Sequence, residues 1–154
     1  MEILKTLKYY QIKYPTLGMY IAFCHIMKTI LLSRDRDLIN TITKANIFSS
    51  DKFVLLSELS DSLDIMSTVC SENPTLLIAD NDFLKPDSAH ILKSIKKVNK
   101  GIYIIFLSSD LSIELGREIS QLGIQYYALK PLDMKDLIDV VNFIGKLKDK
   151  ENSY

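Results

Sequence analysis

The chain of 154 residues has only two cysteines, Cys24 and Cys70. They show no paired spacing, which excludes a disulfide framework or a zinc site and leaves a reduced, cytoplasmic setting as the expectation. An excess of either charge is also missing, because nineteen basic and nineteen acidic residues cancel. A nucleic-acid footprint needs a basic surplus on one face, so no nucleic-acid partner is expected. A membrane span takes about 20 apolar residues. The apolar run at 16–27 (TLGMYIAFCHIM) has twelve, so no membrane partner is expected. Lys5, Lys8 and Lys13 precede that run, but no small-x-small cleavage site follows it, which fits an export signal poorly. Internal repeats, linkers and low-complexity stretches are absent as well.

What is present suits a soluble domain with one substantial core. Hydrophobic residues make up 47% and charged residues 25%, close to the globular average. The domain is expected over residues 27–148, with a charged, frayed tail at 149–154. Residues 1–26 have two readings. They form a helix that packs on the domain, or they precede a natural start at Met27, since MKTILLSRD opens like a first strand.

From Met27 onward, strand-like and helical patterns alternate. Strands are expected at 29–33 (TILLS), 53–56 (FVLL), 76–79 (LLIA), 102–107 (IYIIFL) and 124–129, each a short run rich in apolar or β-branched residues. Helical spacing fills the intervals. Leu38, Ile39, Ile42 and Ile47 mark the first helix. Leu63, Ile65, Met66, Val69 and Cys70 follow a cap at Ser60 or Asp61. Ile91, Leu92, Ile95 and Val98 form the inner stripe of the third, after a cap at Asp87 or Ser88. The fourth covers 113–122 and stops at Gly123. The fifth starts at Asp133 and runs through Leu147. Asn73-Pro74 ends the second helix, since proline disfavours helical geometry in the residue before it.

Five such units imply an α/β doubly wound, five-stranded parallel sheet covered on both faces. In these sheets the site lies beyond the C-terminal ends of the strands. That directs attention to Arg34-Asp35, Glu58, Asp80-Asn81-Asp82, Ser108-Ser109 and Lys130-Pro131. Acid, acid, hydroxyl and lysine at the ends of strands one, three, four and five suit acyl-phosphate chemistry. One carboxylate is the nucleophile. A second holds Mg²⁺, a hard ion that takes oxygen ligands. A hydroxyl and an ammonium bind the phosphoryl oxygens as charge develops.

At these residues the sequence resembles the response-regulator receiver family of two-component signalling. Pro74-Thr75-Leu76-Leu77-Ile78-Ala79-Asp80 matches the family's proline–x–apolar run–aspartate, Ser108-Ser109 its hydroxyl and following small residue, and Lys130-Pro131 its lysine–proline. Asp35, Asp80, Ser108 and Lys130 follow one another at 45, 28 and 22 residues. The resemblance implies the flavodoxin-like strand order 2-1-3-4-5 and a cis peptide before Pro131. It implies Asp80 as phosphoacceptor, with Lys130 and Ser108 as its catalytic company and Tyr127 with Ser108 as switch residues. Mg²⁺ would be held by Asp35, Asp80 and the backbone carbonyl of Asp82. A histidine kinase or phosphotransfer protein would be the donor. Any enzymatic role is at most self-phosphotransfer and autodephosphorylation. Residues 122–141 (LGIQYYALKPLDMKDLIDVV) look most like receivers of the stage-zero sporulation type, here expected to stand alone without an output domain and to work in a phosphorelay. A ligand-binding flavodoxin-like role is disfavoured, because no hydroxyl- and glycine-rich phosphate loop follows strand one.

The pattern departs from the family after strand one, where two adjacent acids are usual. Aligning Asp35 with the second acid keeps Leu38 at the first apolar helix position and leaves Arg34 in place of the first. A one-residue shift puts Ser33 and Arg34 there instead and removes the metal site. Leu84 and Ser88 stand where the family often has proline and glycine. These changes keep a second reading open, a pseudo-receiver that binds partners without phosphorylation or metal. On the last helix Leu137, Val141 and Ile144 form a core stripe, and Val140, Phe143 and Leu147 form a second. With Tyr126, that second stripe suggests a partner or homodimer surface, unless residues 1–26 cover it; the resemblance implies that such a surface runs over the fourth helix, fifth strand and fifth helix. His25 and His90 lack ligand-spaced partners and are read as surface or packing residues.

Overall fold

Strand after strand, the apolar runs named above form one parallel sheet in the order β2-β1-β3-β4-β5. The computed structural model describes residues 27–58 and 61–153. The strands are β1 Thr29–Leu32, β2 Phe53–Leu56, β3 Leu76–Asp80, β4 Tyr103–Ser108 and β5 Tyr126–Leu129. The helices are α1 Arg36–Ala45, α2 Ser62–Glu72, α3 Ser88–Val98, α4 Ile113–Ser120 and α5 Met134–Asn152, with a single helical turn at Asn81–Leu84. Readings for residues 1–26 and for Ser60 as a cap lie outside the described residues.

Alternation along the central strands splits the core in two. Leu31, Leu76, Ile78, Ile105 and Leu107 face one layer, closed by Leu38 and Ile42 of α1 and Leu137, Val141 and Ile144 of α5. Ile30, Leu32, Leu77, Ala79, Ile104 and Phe106 face the other, closed by Ile65 and Val69 of α2, Ile91, Leu92 and Ile95 of α3 and Ile119 of α4. Both faces of β1, β3 and β4 are therefore buried, which is why these strands read as unbroken apolar runs.

Helix starts follow short polar side chains. Asp35, Asp61, Ser112 and Asp133 each accept a backbone N–H one turn in, satisfying donors that a helix leaves open. Asp87 stands at the α3 cap without such a bond, and Ser88 turns inward to donate to Asn81 Oδ1 at 2.7 Å. Gly123 has φ 67°, the left-handed geometry in which glycine is free of a Cβ penalty.

Four expectations change. Val98 is 70% exposed and lies off the inner stripe, because α3 is ending there and only Ile91, Leu92 and Ile95 meet the sheet. Leu63 is likewise exposed, on the outer side of α2. The fifth strand starts at Tyr126. Ahead of it, the Gln125 side chain accepts the Ile104 N–H at 2.7 Å in place of a strand carbonyl. α5 continues to Asn152, so residues 149–152 are helical where a frayed tail is expected.

Candidate functional site

The C-terminal edge of the sheet carries a cleft of about 420 Å³, lined among others by Asp35, Thr41, Asp82, Ser109 and Lys130. β5 delivers the lysine. Its N–H donates to the Ser108 carbonyl at 2.9 Å, continuing the β4–β5 pairing and placing Lys130 across the end of β3. The ammonium then lies 3.0 Å from a carboxylate oxygen of each of Asp35, Asp80 and Asp82. Burial alone would lower the Lys130 pKa, but the hydrogen bonds to Asp82, Asp35 and Asp80 outweigh it and hold the value above the ordinary lysine range.

Asp80 ends β3 with its side chain 1% exposed. Oδ2 accepts from Ser33 Oγ at 2.6 Å and from Lys130 Nζ at 3.0 Å. Oδ1 accepts the Asp82 N–H at 3.1 Å. A buried carboxylate is tolerated because each oxygen has donors, one of them charged. Asp82 itself accepts from Lys85 at 2.9 Å and from Ser109 at 2.8 Å. Those bonds, with that from Lys130, hold its carboxyl well below the usual range. Asp35 caps α1 through the N–H groups of Asp37 and Leu38. The Leu38 bond is the main reason its pKa is lowered; burial opposes the shift and Lys130 adds to it.

A family model described as the response regulator receiver domain matches residues 30–142. The chain belongs to the response regulator receiver family. The receiver fold agrees in strand order, and the peptide between Lys130 and Pro131 is cis. Over 91 residues the receiver is 25% identical to Sporulation initiation phosphotransferase F of Bacillus subtilis, covering 59% of this chain and 73% of that protein. A CheY-like receiver domain protein of Methanospirillum hungatei superposes with TM-score 0.65 at 19% identity, covering 81% of this chain and 98% of the other. The N-terminal domain of an uncharacterized Wolinella succinogenes protein gives 0.66 at 17%, with the same coverage. Among the described residues no helix is long and apolar enough to cross a membrane.

Within this receiver, Asp35, Asp80, Asp82 and Lys130 converge as a cluster, and four other residues do not join it. Arg34 is exposed with its guanidinium over the Phe83 ring, 5.7 Å from the centroid. It is thus a correction to the altered acid pair, since the chain turns outward after β1 and an apolar ring takes the cation. Ser108 is buried, but its hydroxyl serves its own loop, accepting the Asp110 N–H at 2.9 Å. Glu58 is exposed beyond β2. Tyr127 is half-buried, its ring tilted 50° against Phe106.

Two partners escape the sequence reading of the site. Ser109, adjacent to the expected hydroxyl, reaches the cleft instead of Ser108. Ser33 faces the acceptor, because the β1–β3 register pairs Leu32 with Ala79 and so sets Ser33 beside Asp80. Counting register from Asp80 back to β1 would have found it.

Among the described residues no trio of His, Cys, Asp or Glu is already shaped around a metal ion. The ammonium of Lys130 holds the centre of the three carboxylates. Those donors are all oxygens, the kind a hard divalent ion takes, so the set fits Mg²⁺ by chemistry.

Proposed function

We propose that this receiver accepts a phosphoryl group on Asp80 from a histidine kinase or phosphotransfer protein and acts by an altered protein–protein contact in the cytoplasm. The observation that carries this is Lys130 Nζ, which lines the open cleft and lies 3.0 Å from the buried Asp80 carboxylate. Asp80 is the nucleophile. Lys130 neutralises charge as the phosphoryl oxygens arrive, so catalysis is mainly positioning and electrostatics. Mg²⁺ would be held by Asp35, Asp80 and the Asp82 carbonyl, where it supplies charge screening between the acceptor and the phosphoryl oxygens. Ser108 would turn to the phosphoryl group and Tyr127 inward as the two-state element shifts. Kinship with a sporulation phosphotransferase supports a phosphorelay setting.

A second reading is favoured by one specific observation. Both oxygens of Asp80 are bonded to internal donors, and Arg34 stands where the family usually keeps the first acid. On that reading the domain is a pseudo-receiver whose Lys130 cluster is purely structural.

Incubation with acetyl phosphate and Mg²⁺, followed by intact mass, separates the two. The first reading expects a phosphoryl increment on the wild-type chain and none on Asp80→Asn. An unmodified wild type rejects it, and a gain of the increment in Ser33→Asp/Arg34→Asp would locate the defect after β1.

A further inference from the structure

We propose that Ser33 is a positioning residue for the acceptor, fixing which oxygen of Asp80 reacts. The inference rests on the phosphoacceptor reading and concerns a residue at the end of β1, just ahead of Arg34. Three observations carry it. Ser33 is fully buried. Its hydroxyl donates to Asp80 Oδ2 at 2.6 Å and accepts the Asp35 N–H at 3.0 Å. Asp35 in turn caps α1 and bonds Lys130.

The consequence is an asymmetric carboxylate. Oδ2 takes two donors, Ser33 and the charged Lys130. Oδ1 takes one backbone N–H, that of Asp82, and keeps a lone pair. Oδ1 is thus the nucleophilic oxygen. With acetyl phosphate, Oδ1 forms the new O–P bond while the P–O bond to the acetyl group breaks. Acetate leaves with the electron pair, and no proton is transferred because the carboxylate attacks ionised. Without the Ser33 hydroxyl the plane of the carboxylate is set by Lys130 alone, an ammonium with no fixed direction. The same hydroxyl joins the acceptor to the first turn of α1, so the orientation of Asp80 is tied to the helix start through one side chain.

The test uses the full chain as wild type, Ser33→Ala and Ser33→Thr. Two readouts are taken: the initial rate of phosphoryl gain from acetyl phosphate, and the amide proton shifts in ¹⁵N-edited NMR without any donor. Ser33→Ala is expected to slow phosphorylation about tenfold or more, as one lost charge-assisted bond would, and Ser33→Thr to recover most of that rate. The decisive signature is the Asp82 amide. It touches Asp80 Oδ1 and not Ser33, so the expected result is a shift in Ser33→Ala that returns in Ser33→Thr. An Asp82 amide at its wild-type position in Ser33→Ala overturns the proposal, as does an unchanged rate. Should the wild-type chain take no phosphoryl group, the acceptor reading fails, and the Asp82 amide still decides the role of Ser33.

Discussion

One ammonium facing three carboxylates sets the energetics of the site. Lys130 is 89% buried at the side chain by its 11% exposure, and Asp80 beneath it is more deeply buried still. Removing one member of such a set costs more than the set contributes, because the remaining charge stays buried and unpaired. Lys130→Met should destabilise the fold by about 3–5 kcal/mol, read as a lower urea midpoint. Adding Asp80→Asn should recover part of the loss; a fully additive double mutant would refute the coupling. The acids also set a pH dependence. Asp35 and Asp82 titrate lower in the folded chain than their ordinary values. Their contribution is therefore complete above about pH 4, the unfolded value, and is lost as pH falls through the lowered folded values. Lys130 is raised, so its contribution persists up to the ordinary lysine range and is lost only as pH rises through the folded value. Thermal unfolding followed from pH 6 down to pH 2 should fall less steeply in Asp82→Asn than in wild type. Parallel curves would contradict the assignment.

Elements differ in how openly the sequence declares them. β1, β3 and β4 are buried on both faces, so unbroken apolar runs such as LLIA and IYIIFL announce them without ambiguity. Asp61, Ser112 and Asp133 are short polar residues ahead of helical spacing, and each caps its helix as that pattern implies. Boundaries are less visible. Spacing alone could not place the end of the α3 stripe, because Val98 has the right interval from Ile95 but meets no partner. The start of β5 and the length of α5 likewise depend on neighbours. At the site, residue types and spacings identify Asp80 and Lys130, whereas Ser33 and Arg34 depend on register between β1 and β3, which a single strand does not encode. The α3 distinction has a direct consequence. Ile95, 1% exposed, should cost about 2–5 kcal/mol on truncation to alanine. Val98→Ala should stay within about 0.5 kcal/mol. Comparable losses in a urea titration would put Val98 back in the core.

For the whole molecule, the remaining question is what the site communicates with. Leu111, Ile113, Leu129 and Phe143 are exposed on α4, β5, α5 and the loop ahead of α4, while Tyr126, Val140 and Leu147 are partly buried against the core. The expected second stripe of α5 is thus narrower than Val140, Phe143 and Leu147 together, and Phe143 is its protruding member. Phe143 lines a groove on α5 with Lys146 and Leu147, whereas Tyr127 belongs to the α4–β5 side. It packs on Phe106 of β4 and borders the groove with Leu111, Ser112 and Leu129, two residues along β5 from the strand end that leads into Lys130. On the proposed function, a phosphoryl group beside Lys130 would bias the packing of α4 against β5, and the apolar residues there are the ones a partner would cover. If the partner is a second copy of the chain, a single charge at the protruding position is enough to prevent association, since it would be buried unpaired in both copies of a symmetric contact. Phe143→Glu should convert a self-associating wild type to monomer in sedimentation equilibrium while leaving the urea midpoint within about 0.5 kcal/mol of wild type. A wild type that sediments as monomer at every concentration, with and without acetyl phosphate and Mg²⁺, would rule out the homodimer and leave this face for a different protein.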